Sequence, residues 1–343
     1  MNKRTPSIAI LVPCYNEEKT IRTCVLSWLT QTHPADEIII VNDCSTDDTL
    51  KILQEFKDKV TIVDLPRNTG NKSFVQEEGL KYISQNVFIA TDADTIMDKH
   101  FVERVFIAFQ DISVHAFAGY IKSLRGNWLT ACREIDYLIG QDLHKVAQHN
   151  IKFLFVIPGC AGAFRTSVFK NNISFDHDTL TEDLDFTYKI NKLGLDIVYD
   201  REAVVYTQDP NTLRSYINQI RRWYSGGWQN LLKHKSIAKK PIKAMELSMV
   251  YIEGLIFYPL MFIIPILSIK AFYHLLVSCL ILVLSFGLYS AIQRRRVDLF
   301  LYSPLYIFVA YINSYIFIEQ FVKEVILKKK NLRWFHPERR EIL

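Results

Sequence analysis

The sequence predicts an α/β domain built around a mostly parallel sheet, followed by a helical region that lies in a membrane. Strand-like and helix-like segments alternate through residues 8–90. This βαβα alternation is typical of a parallel sheet covered by helices on both faces. Beyond residue 247 the chain carries long, almost uncharged apolar stretches, and helices that cross a bilayer have this composition.

The strands and helices of the first part can be predicted in order along the chain. Short apolar runs with β-branched residues predict strands, and apolar residues spaced three or four apart predict helices. The predicted strands are Ile8–Val12, Glu37–Val41, Val60–Val63 and Val87–Ala90, and the predicted helices are Glu18–Leu29, Asp47–Phe56 and Ser73–Ile83. Ligands of such sheets bind beyond the carboxyl ends of the strands. We therefore expect the site in the segments PCYNEE, NDCSTDD and TDADT, each of which follows or ends a strand.

Three apolar blocks occupy residues 246–269, 271–292 and 299–322. A spanning helix needs roughly 20 apolar residues, so each block is long enough to cross a membrane. Clusters of Lys and Arg flank the blocks, and such clusters normally face the cytoplasm. Three crossings would leave the last cluster outside. We therefore expect that one block does not cross, either the first, with Pro259 and Pro265, or the third, and that the C-terminal tail is cytosolic.

Composition excludes several classes of protein. The 343 residues are 49% hydrophobic and 22% charged, which is too apolar for a disordered chain. A net charge of +5 is too small to indicate binding to nucleic acid. The six cysteines form no C-x-x-C pair and no zinc spacing, so we expect reduced thiols. The first apolar run is too short for a signal peptide, so we expect the catalytic part on the cytoplasmic face of the cell membrane.

Several carboxylates stand where a catalytic site is expected. Asp92 and Asp94 follow a buried strand and can share Mg²⁺ or Mn²⁺, which prefer oxygen ligands, or they are a solvated turn pair. Asp43 can accept hydrogen bonds from a base or ribose, or it shapes a turn. Asp183 falls in the first turn of a helix that Thr179 or Thr181 caps. The helix dipole favours its ionised form there, as a general base requires, although charge complementarity alone would also place a carboxylate at this end.

A second candidate segment is NQIRRWYSGGW, at residues 218–228. Gln219, Arg222 and Trp223 share one face of a helix because they are spaced at i, i+3 and i+4. Arginine can bind a diphosphate with two hydrogen bonds, and a tryptophan ring can stack on a sugar or base. We expect Gly226 and Gly227 to end this helix. An amphipathic helix on the membrane surface is the alternative.

In this order, the motifs PCYNEE, NDCSTDDT, DAD, TED and QIRRW resemble those of family 2 glycosyltransferases with a GT-A fold. The resemblance covers about residues 5–235. The last two motifs narrow it to the membrane-embedded branch, which includes synthases of hyaluronan, chitin, cellulose and poly-N-acetylglucosamine. GCAGAFR, at residues 159–165, is similar to the segment that lines the acceptor site in that branch.

The resemblance implies a role for each of these residues. Asp183 would be the base that deprotonates the acceptor, and Asp94 would hold Mg²⁺ or Mn²⁺. The donor-binding residues would be Pro13, Tyr15, Glu17, Asp43, Lys72, Asp92 and Arg222, and the acceptor-binding residues would be Glu182, Gln219 and Trp223. The reaction implied is an inverting transfer from UDP-N-acetylglucosamine or UDP-glucose to a growing β-linked polysaccharide at the lipid bilayer. Transfer of a single sugar to a membrane lipid is the alternative, because ceramide glucosyltransferases carry similar motifs.

The sequence departs from the family pattern in two places. Asn42 and Cys44 replace the usual Asp and Gly around Asp43, and one extra residue separates Lys72 from its glycine. The tail RWFHPERR, at residues 333–340, is similar to a loop that gates related synthases, with Trp334 and Arg339 as the matching residues. We expect a cytosolic GT-A domain over residues 1–235. A membrane region over residues 236–343 would contain an interfacial helix, two to three transmembrane helices and a basic tail.

Overall fold

The structure, a computed structural model, describes residues 5–239, 241–332 and 339–341. The chain forms two compact units, one of Met1–Lys122, Lys145–Gln208 and Glu338–Leu343 and the other of Ser123–His144 and Asp209–Pro337. The motifs place a boundary at residue 235, between a catalytic domain and a membrane region. The two compact units have other boundaries, and the division at residue 235 stays a prediction. Trp334, which the tail motif singles out, lies outside the described residues.

The first unit is built on an eight-stranded sheet. In chain order its strands are β1 Ile8–Cys14, β2 Glu37–Asn42, β3 Thr61–Asp64, β4 Val87–Ala90, β5 Thr95–Met97, β6 Val114–Ser123, β7 Gly162–Arg165 and β8 Asp196–Thr207. Their order in the sheet is β3-β2-β1-β4-β7-β6-β8-β5. The first four pair in parallel, whereas β4 with β7, β7 with β6 and β5 with β8 are antiparallel. The parallel strands are the four that the sequence predicts, and the α/β fold class is confirmed.

Helices surround the sheet of the first unit and make up most of the second. In chain order they are α1 Ile21–Leu29, α2 Thr49–Gln54, α3 Lys72–Leu80, α4 Phe101–Phe109, α5 Trp128–Ile139, α6 Val146–Asn150, α7 Thr166–Asn171, α8 Glu182–Leu193, α9 Leu213–Lys233, α10 Pro241–Leu267, α11 Ile269–Arg294, α12 Val297–Tyr302 and α13 Tyr306–Phe321. A single face of α1 is apolar and buried, because Ile21, Val25 and Trp28 recur at helical spacing. A large apolar cluster, which includes Leu11, Val41 and Phe186, forms the core of the first unit.

The residue inserted before Lys72 has a local structural role. Asn71 lies at the N-cap of α3, where its side-chain oxygen accepts a hydrogen bond from the Ser73 N–H at 3.0 Å. Such a cap satisfies one of the free N–H groups at a helix start. Helix α3 therefore begins at Lys72, one residue before the predicted start.

The prediction that Gly226 and Gly227 end their helix is wrong, because α9 continues through both to Lys233. A Cβ atom on Gly227 would lie 3.1 Å from the hydroxyl oxygen of Tyr251. That hydroxyl donates a hydrogen bond of 3.1 Å to the carbonyl oxygen of Gly227. Glycine here permits the close approach of α10 to α9, and the packing offsets its low helix propensity.

Two helices of the second unit are long and apolar enough to cross a membrane, among the residues described. They are α11 and the continuous helical segment Val297–Ile326, which contains α12 and α13. Only 17% and 28% of their most apolar stretches are buried within the protein, whereas the core helix of a soluble protein would be mostly buried. Helix α10 is 27 residues long, and both Pro259 and Pro265 lie in its apolar segment Tyr251–Leu267.

Candidate active site

The carboxyl ends of β1, β2 and β4 meet at one edge of the sheet. The Asp43 N–H donates to the Cys14 carbonyl oxygen at 2.8 Å, and the Asn16 N–H donates to the Ser45 hydroxyl at 3.0 Å. On the other side of β1, the Thr91 N–H donates to the Leu11 carbonyl oxygen. The three segments expected to form the site are therefore adjacent in the fold.

Lys72 lies at the centre of the carboxylates. Its ammonium group is 2.5 Å from Asp92 and 3.0 Å from Glu182, and its side chain is 12% exposed. Burial alone would lower the pKa of Lys72, but the charges of Asp92 and Glu182 outweigh it and raise that pKa above its usual value. Helices α3 and α8 begin at Lys72 and Glu182 respectively. The positive end of the α8 dipole therefore favours the ionised form of Glu182.

Asp183 is the second residue of α8, and the prediction that it lies in a first helical turn is confirmed. Thr181 occupies the N-cap position, although its side chain does not make the capping hydrogen bond. The Gly159 N–H donates to Asp183 Oδ2 at 3.2 Å. A Cβ atom on Gly159 would lie 3.2 Å from Lys72 Nζ and 3.6 Å from Asp183 Oδ2. Glycine at this position thus leaves space between the lysine and the carboxylate.

Asp94 and Glu17 hold a cationic side chain between them. The guanidinium of Arg339 lies 2.5 Å from Asp94 and 2.8 Å from Glu17, and both carboxylates are buried. Burial raises the pKa of Asp94 to about 6; the charge of Arg339 opposes this shift, and that of Glu17 adds to it. The main chain of Arg340 pairs with the Gln208 side chain through hydrogen bonds of 2.8 and 2.9 Å. Residues 339–341 therefore belong to the first unit.

The Asp94 position fits a divalent cation in charge and in chemistry. Mg²⁺ and Mn²⁺ prefer oxygen ligands, and the carboxylates of Asp94 and Glu17 supply oxygen atoms. The buried guanidinium between them shows that the position attracts positive charge. The described residues bring together no group of three or more His, Cys, Asp or Glu side chains that could hold a metal by themselves, so further ligands would come from a bound substrate and from water.

Three more of the predicted donor residues, Asp43, Pro13 and Tyr15, lie along the same edge. Asp43 is buried, and its two carboxylate oxygens accept hydrogen bonds from the Thr69 N–H at 2.8 Å and the Thr69 hydroxyl at 3.0 Å. Burial raises the pKa of Asp43, although these bonds oppose the shift. Pro13 pairs with Val41 inside β1, and Tyr15 follows that strand, partly exposed.

The residues of the QIRRW motif lie in the second unit, on α9. Gln219, Arg222 and Trp223 are all partly buried. The Gln219 side-chain oxygen has no hydrogen-bond partner among the described residues. The Trp223 ring packs on the guanidinium of Arg133, whose centre lies 4.7 Å from the ring centroid.

Lys145 is a buried cation that the motifs do not mark. Its ammonium group lies 5.7 Å from the centroid of the Tyr199 ring. Burial lowers the pKa of Lys145 to about 8, against the charges of Cys160 and Asp183. No local pattern in the sequence distinguishes this lysine from an exposed one, because its burial depends on distant packing.

Comparison with known proteins places these features in a family. The sequence model described as "Glycosyltransferase like family 2" matches residues 6–226. The poly-β-1,6-N-acetyl-D-glucosamine synthase of Staphylococcus epidermidis is 29% identical over 239 residues, which are 68% of this chain and 57% of that protein. The probable glycosyltransferase YdaM of Bacillus subtilis is 28% identical over 67% of this chain and 57% of its own. The chain thus spans little more than half the length of these curated relatives.

Solved structures share the fold at low sequence identity. The mannosyltransferase PcManGT from Pyrobaculum calidifontis, in complex with GDP-Man and Mn²⁺, is 18% identical, with a TM-score of 0.67 over 95% of this chain and 89% of that one. Residues 1–349 of S. aureus TarS, in complex with UDP-GlcNAc, are 17% identical, with a TM-score of 0.51 over 96% and 94%. These likenesses confirm the GT-A fold. Because the family model matches residues 6–226, which are most of the chain, the protein belongs to glycosyltransferase family 2.

Proposed function

We propose that this glycosyltransferase moves a sugar, with inversion, from a UDP-sugar to a growing β-linked polysaccharide at a membrane. The observation that carries the proposal is the cluster around Lys72, where Asp92 on the donor side and Glu182 on the acceptor side share one buried ammonium group. The relative from Staphylococcus epidermidis is named as a synthase of poly-β-1,6-N-acetylglucosamine. This name supports UDP-N-acetylglucosamine as the donor, with UDP-glucose as the second candidate.

The donor lies along the edge formed by β1, β2 and β4. Asp43 receives the uridine, Asp92 contacts the nucleotide, and Lys72 binds the diphosphate. The other donor residues are Pro13, Tyr15, Glu17 and Arg222. Asp94 would hold Mg²⁺ or Mn²⁺, which when bound neutralises charge on the departing diphosphate. The cationic side chain that already occupies this position supports the assignment.

Asp183 acts as the general base. Its carboxylate takes the proton of the acceptor hydroxyl while the hydroxyl oxygen forms a bond to the anomeric carbon. The bond from that carbon to the diphosphate breaks on the opposite face, and UDP leaves with its electron pair. One base and one displacement suffice, so no covalent sugar intermediate is required. Glu182, Gln219 and Trp223 bind the acceptor sugar.

The membrane arrangement is part of the proposal. The first unit, which carries Asp183 and is called the catalytic unit from here on, is left by the chain after Gln208 and is entered again by Arg339. An even number of crossings is therefore needed between these residues. Among the described residues, α11 and Val297–Ile326 have the length and composition to cross. Helix α10 contains Pro259 and Pro265, which can kink it, so we assign α10 as the block that does not cross. The catalytic unit then lies on the cytoplasmic face of the cell membrane, beside the basic residues that flank the spans.

The decisive experiment measures the product of the purified protein in lipid vesicles. Radiolabelled UDP-N-acetylglucosamine and UDP-glucose are supplied in turn with Mg²⁺ or Mn²⁺, and the products are separated by size. We expect a polymer from one donor and no product in excess EDTA. If the product is a lipid that carries a single sugar, the acceptor is a membrane lipid and not a polysaccharide. Full turnover in EDTA would disprove the metal assignment.

A further inference from the structure

Helix α5 of the second unit carries a buried positive charge that the proposed reaction does not use. Arg133 is 4% exposed. Its guanidinium lies 3.0 Å from Asp136 and 3.6 Å from Asp209, and both of these carboxylates pair with it from inside the protein. Burying a charge is costly even when it is paired, and an apolar residue of similar volume is often at least as stable. The presence of arginine here therefore calls for a reason besides stability.

Three aromatic rings surround the guanidinium. Its centre lies 4.7 Å from the ring centroids of both Tyr137 and Trp223, and 5.9 Å from that of Tyr216. The cation is attracted to the faces of these rings, and its planar shape allows it to stack on them. The Tyr137 hydroxyl donates to Asp209 at 2.9 Å. Tyr137 and Asp209, which both contact Arg133, are thus also bound to each other. This arrangement fixes the plane of the guanidinium.

Trp223 is the ring in this set that belongs to a predicted acceptor site. It is partly exposed, whereas Tyr216 is fully buried and donates to Asn313 at 2.8 Å. An indole ring supported on one face has already lost much of its rotational freedom. A ligand that binds to such a ring has less ordering entropy to overcome.

We propose that Arg133 is a positioning residue, which fixes the Trp223 ring in the orientation that stacks on the acceptor sugar. This inference rests on the proposed function, because the acceptor role of Trp223 belongs to that proposal. Arg133 does not itself touch substrate. Lysine could supply its charge but not its flat surface, so the shape of the side chain is the property that matters.

The test measures acceptor binding without turnover. A β-1,6-linked N-acetylglucosamine tetrasaccharide is titrated into the full-length protein in EDTA, and the heat of binding is recorded by isothermal titration calorimetry. Calorimetry reports binding whether or not Trp223 is present, so variants at that position are measured in the same way. The variants are Arg133→Met, Arg133→Lys and a matched control, Arg294→Met. Arg294 also pairs with a buried carboxylate of α5, Glu134, so the control removes a comparable ion pair on the same helix.

We expect Arg133→Met to weaken tetrasaccharide binding about tenfold, the size of one lost stacking contact. The affinity of this variant for UDP, and the affinity of the Arg294→Met control for the tetrasaccharide, should stay within about twofold of the wild-type values. Arg133→Lys keeps the buried positive charge, which guards against a folding defect, but it lacks the flat surface. It should therefore weaken tetrasaccharide binding about as much as Arg133→Met does. In a Trp223→Ala background, Arg133→Met should have no further effect, because the two residues then act through one contact.

The possible failures are distinguishable. Wild-type binding by both Arg133 variants, together with weak binding by Trp223→Ala, would overturn the positioning role alone. A further loss from Arg133→Met in the Trp223→Ala background would also overturn it. If the wild-type protein does not bind the tetrasaccharide, or if Trp223→Ala binds it normally, the acceptor assignment in the proposed function is wrong and the positioning role falls with it.

Discussion

The guanidinium of Arg339 lies 2.5 Å from the carboxylate of Asp94, where the proposed reaction requires a divalent cation. A second contact, of 2.8 Å to Glu17, holds the same group. Two cations cannot occupy one pair of carboxylates at short range without strong repulsion. Binding of the metal and binding of this arginine at Asp94 are therefore in competition.

Removing the guanidinium should strengthen metal binding. We expect Arg339→Gln to bind Mn²⁺ about tenfold more tightly than the wild type, since a close competing charge is worth about 1–2 kcal/mol in a partly buried site. Electron paramagnetic resonance of free Mn²⁺ measures this without turnover. Arg340→Gln is the matched control, because Arg340 is held through its main chain. Equal affinities for wild type and Arg339→Gln would show that the arginine and the metal do not compete.

Asp183→Asn should separate catalysis from binding. The amide keeps the shape of the side chain but cannot accept a proton, so we expect kcat to fall by at least about 10²-fold while the affinity for the UDP-sugar is unchanged. Asp185→Asn removes another first-turn carboxylate from α8 and serves as the control for helix-dipole effects. Similar kcat values for the two variants would mean that Asp183 only complements the helix N-terminus.

The buried Lys145 should make stability depend on pH. Its folded-state pKa, about 8, is below that of the unfolded chain. The folded protein disfavours the charged form of this lysine, so the free energy of unfolding is highest above the pKa of the unfolded chain. It decreases as the pH falls through about 8, where the buried lysine becomes protonated. We expect Lys145→Met to stabilise the protein by about 1–3 kcal/mol at pH 7 and by less at pH 9. Thermal unfolding in detergent at both pH values measures this; an equal gain at both would indicate better apolar packing instead.

Cys44 occupies the position at which the family normally has glycine, and its φ of 56° is in the left-handed region. A residue with a Cβ atom is about 1–2 kcal/mol less stable in that conformation. Glycine avoids this cost, but part of the gain is offset because glycine loses more backbone entropy when the chain folds. We expect Cys44→Gly to stabilise the fold by about 0.5–1 kcal/mol after that offset. Cys44→Ala removes the thiol but keeps the Cβ atom, so it should give no gain. Matched unfolding curves of the three proteins test the difference.

The topology can be tested at Asn331, beyond the last helix of the second unit. If two helices cross and α10 does not, position 331 lies on the cytoplasmic side. We expect the cysteine of Asn331→Cys to resist a membrane-impermeant thiol reagent in intact cells and to react after permeabilisation, with the wild type as control for the native cysteines. Labelling in intact cells would indicate an odd number of crossings.

Local patterns account for the features that the sequence predicted correctly. The four parallel strands are short apolar runs, and Asp183 follows residues that favour a helix start, so both depend on near neighbours. The antiparallel strands β5 to β8 are not evident, because their pairing joins residues far apart, as in Thr95 with Thr207.

The contacts that sequence patterns did not reveal are long-range. Arg339 and Glu17 are 322 positions apart, and the motif marked the arginine without indicating its partners. The error at Gly227 has the same origin. Two adjacent glycines indicate a weak helix locally, and only the approach of Tyr251 explains why the helix continues there.

The charges at the catalytic edge determine which form of the donor can enter. Among the site residues that the structure describes, acidic side chains outnumber basic ones: Glu17, Asp43, Asp92, Asp94, Glu182 and Asp183 against Lys72 and Arg339. A UDP-sugar is itself an anion, so its uncomplexed form would be repelled, and repulsion is stronger where water is excluded. The complex of the nucleotide with a divalent cation carries less negative charge. Capture of the donor should therefore follow the concentration of this complex, so that the supply of free metal in the cell would limit synthesis even when the UDP-sugar is abundant.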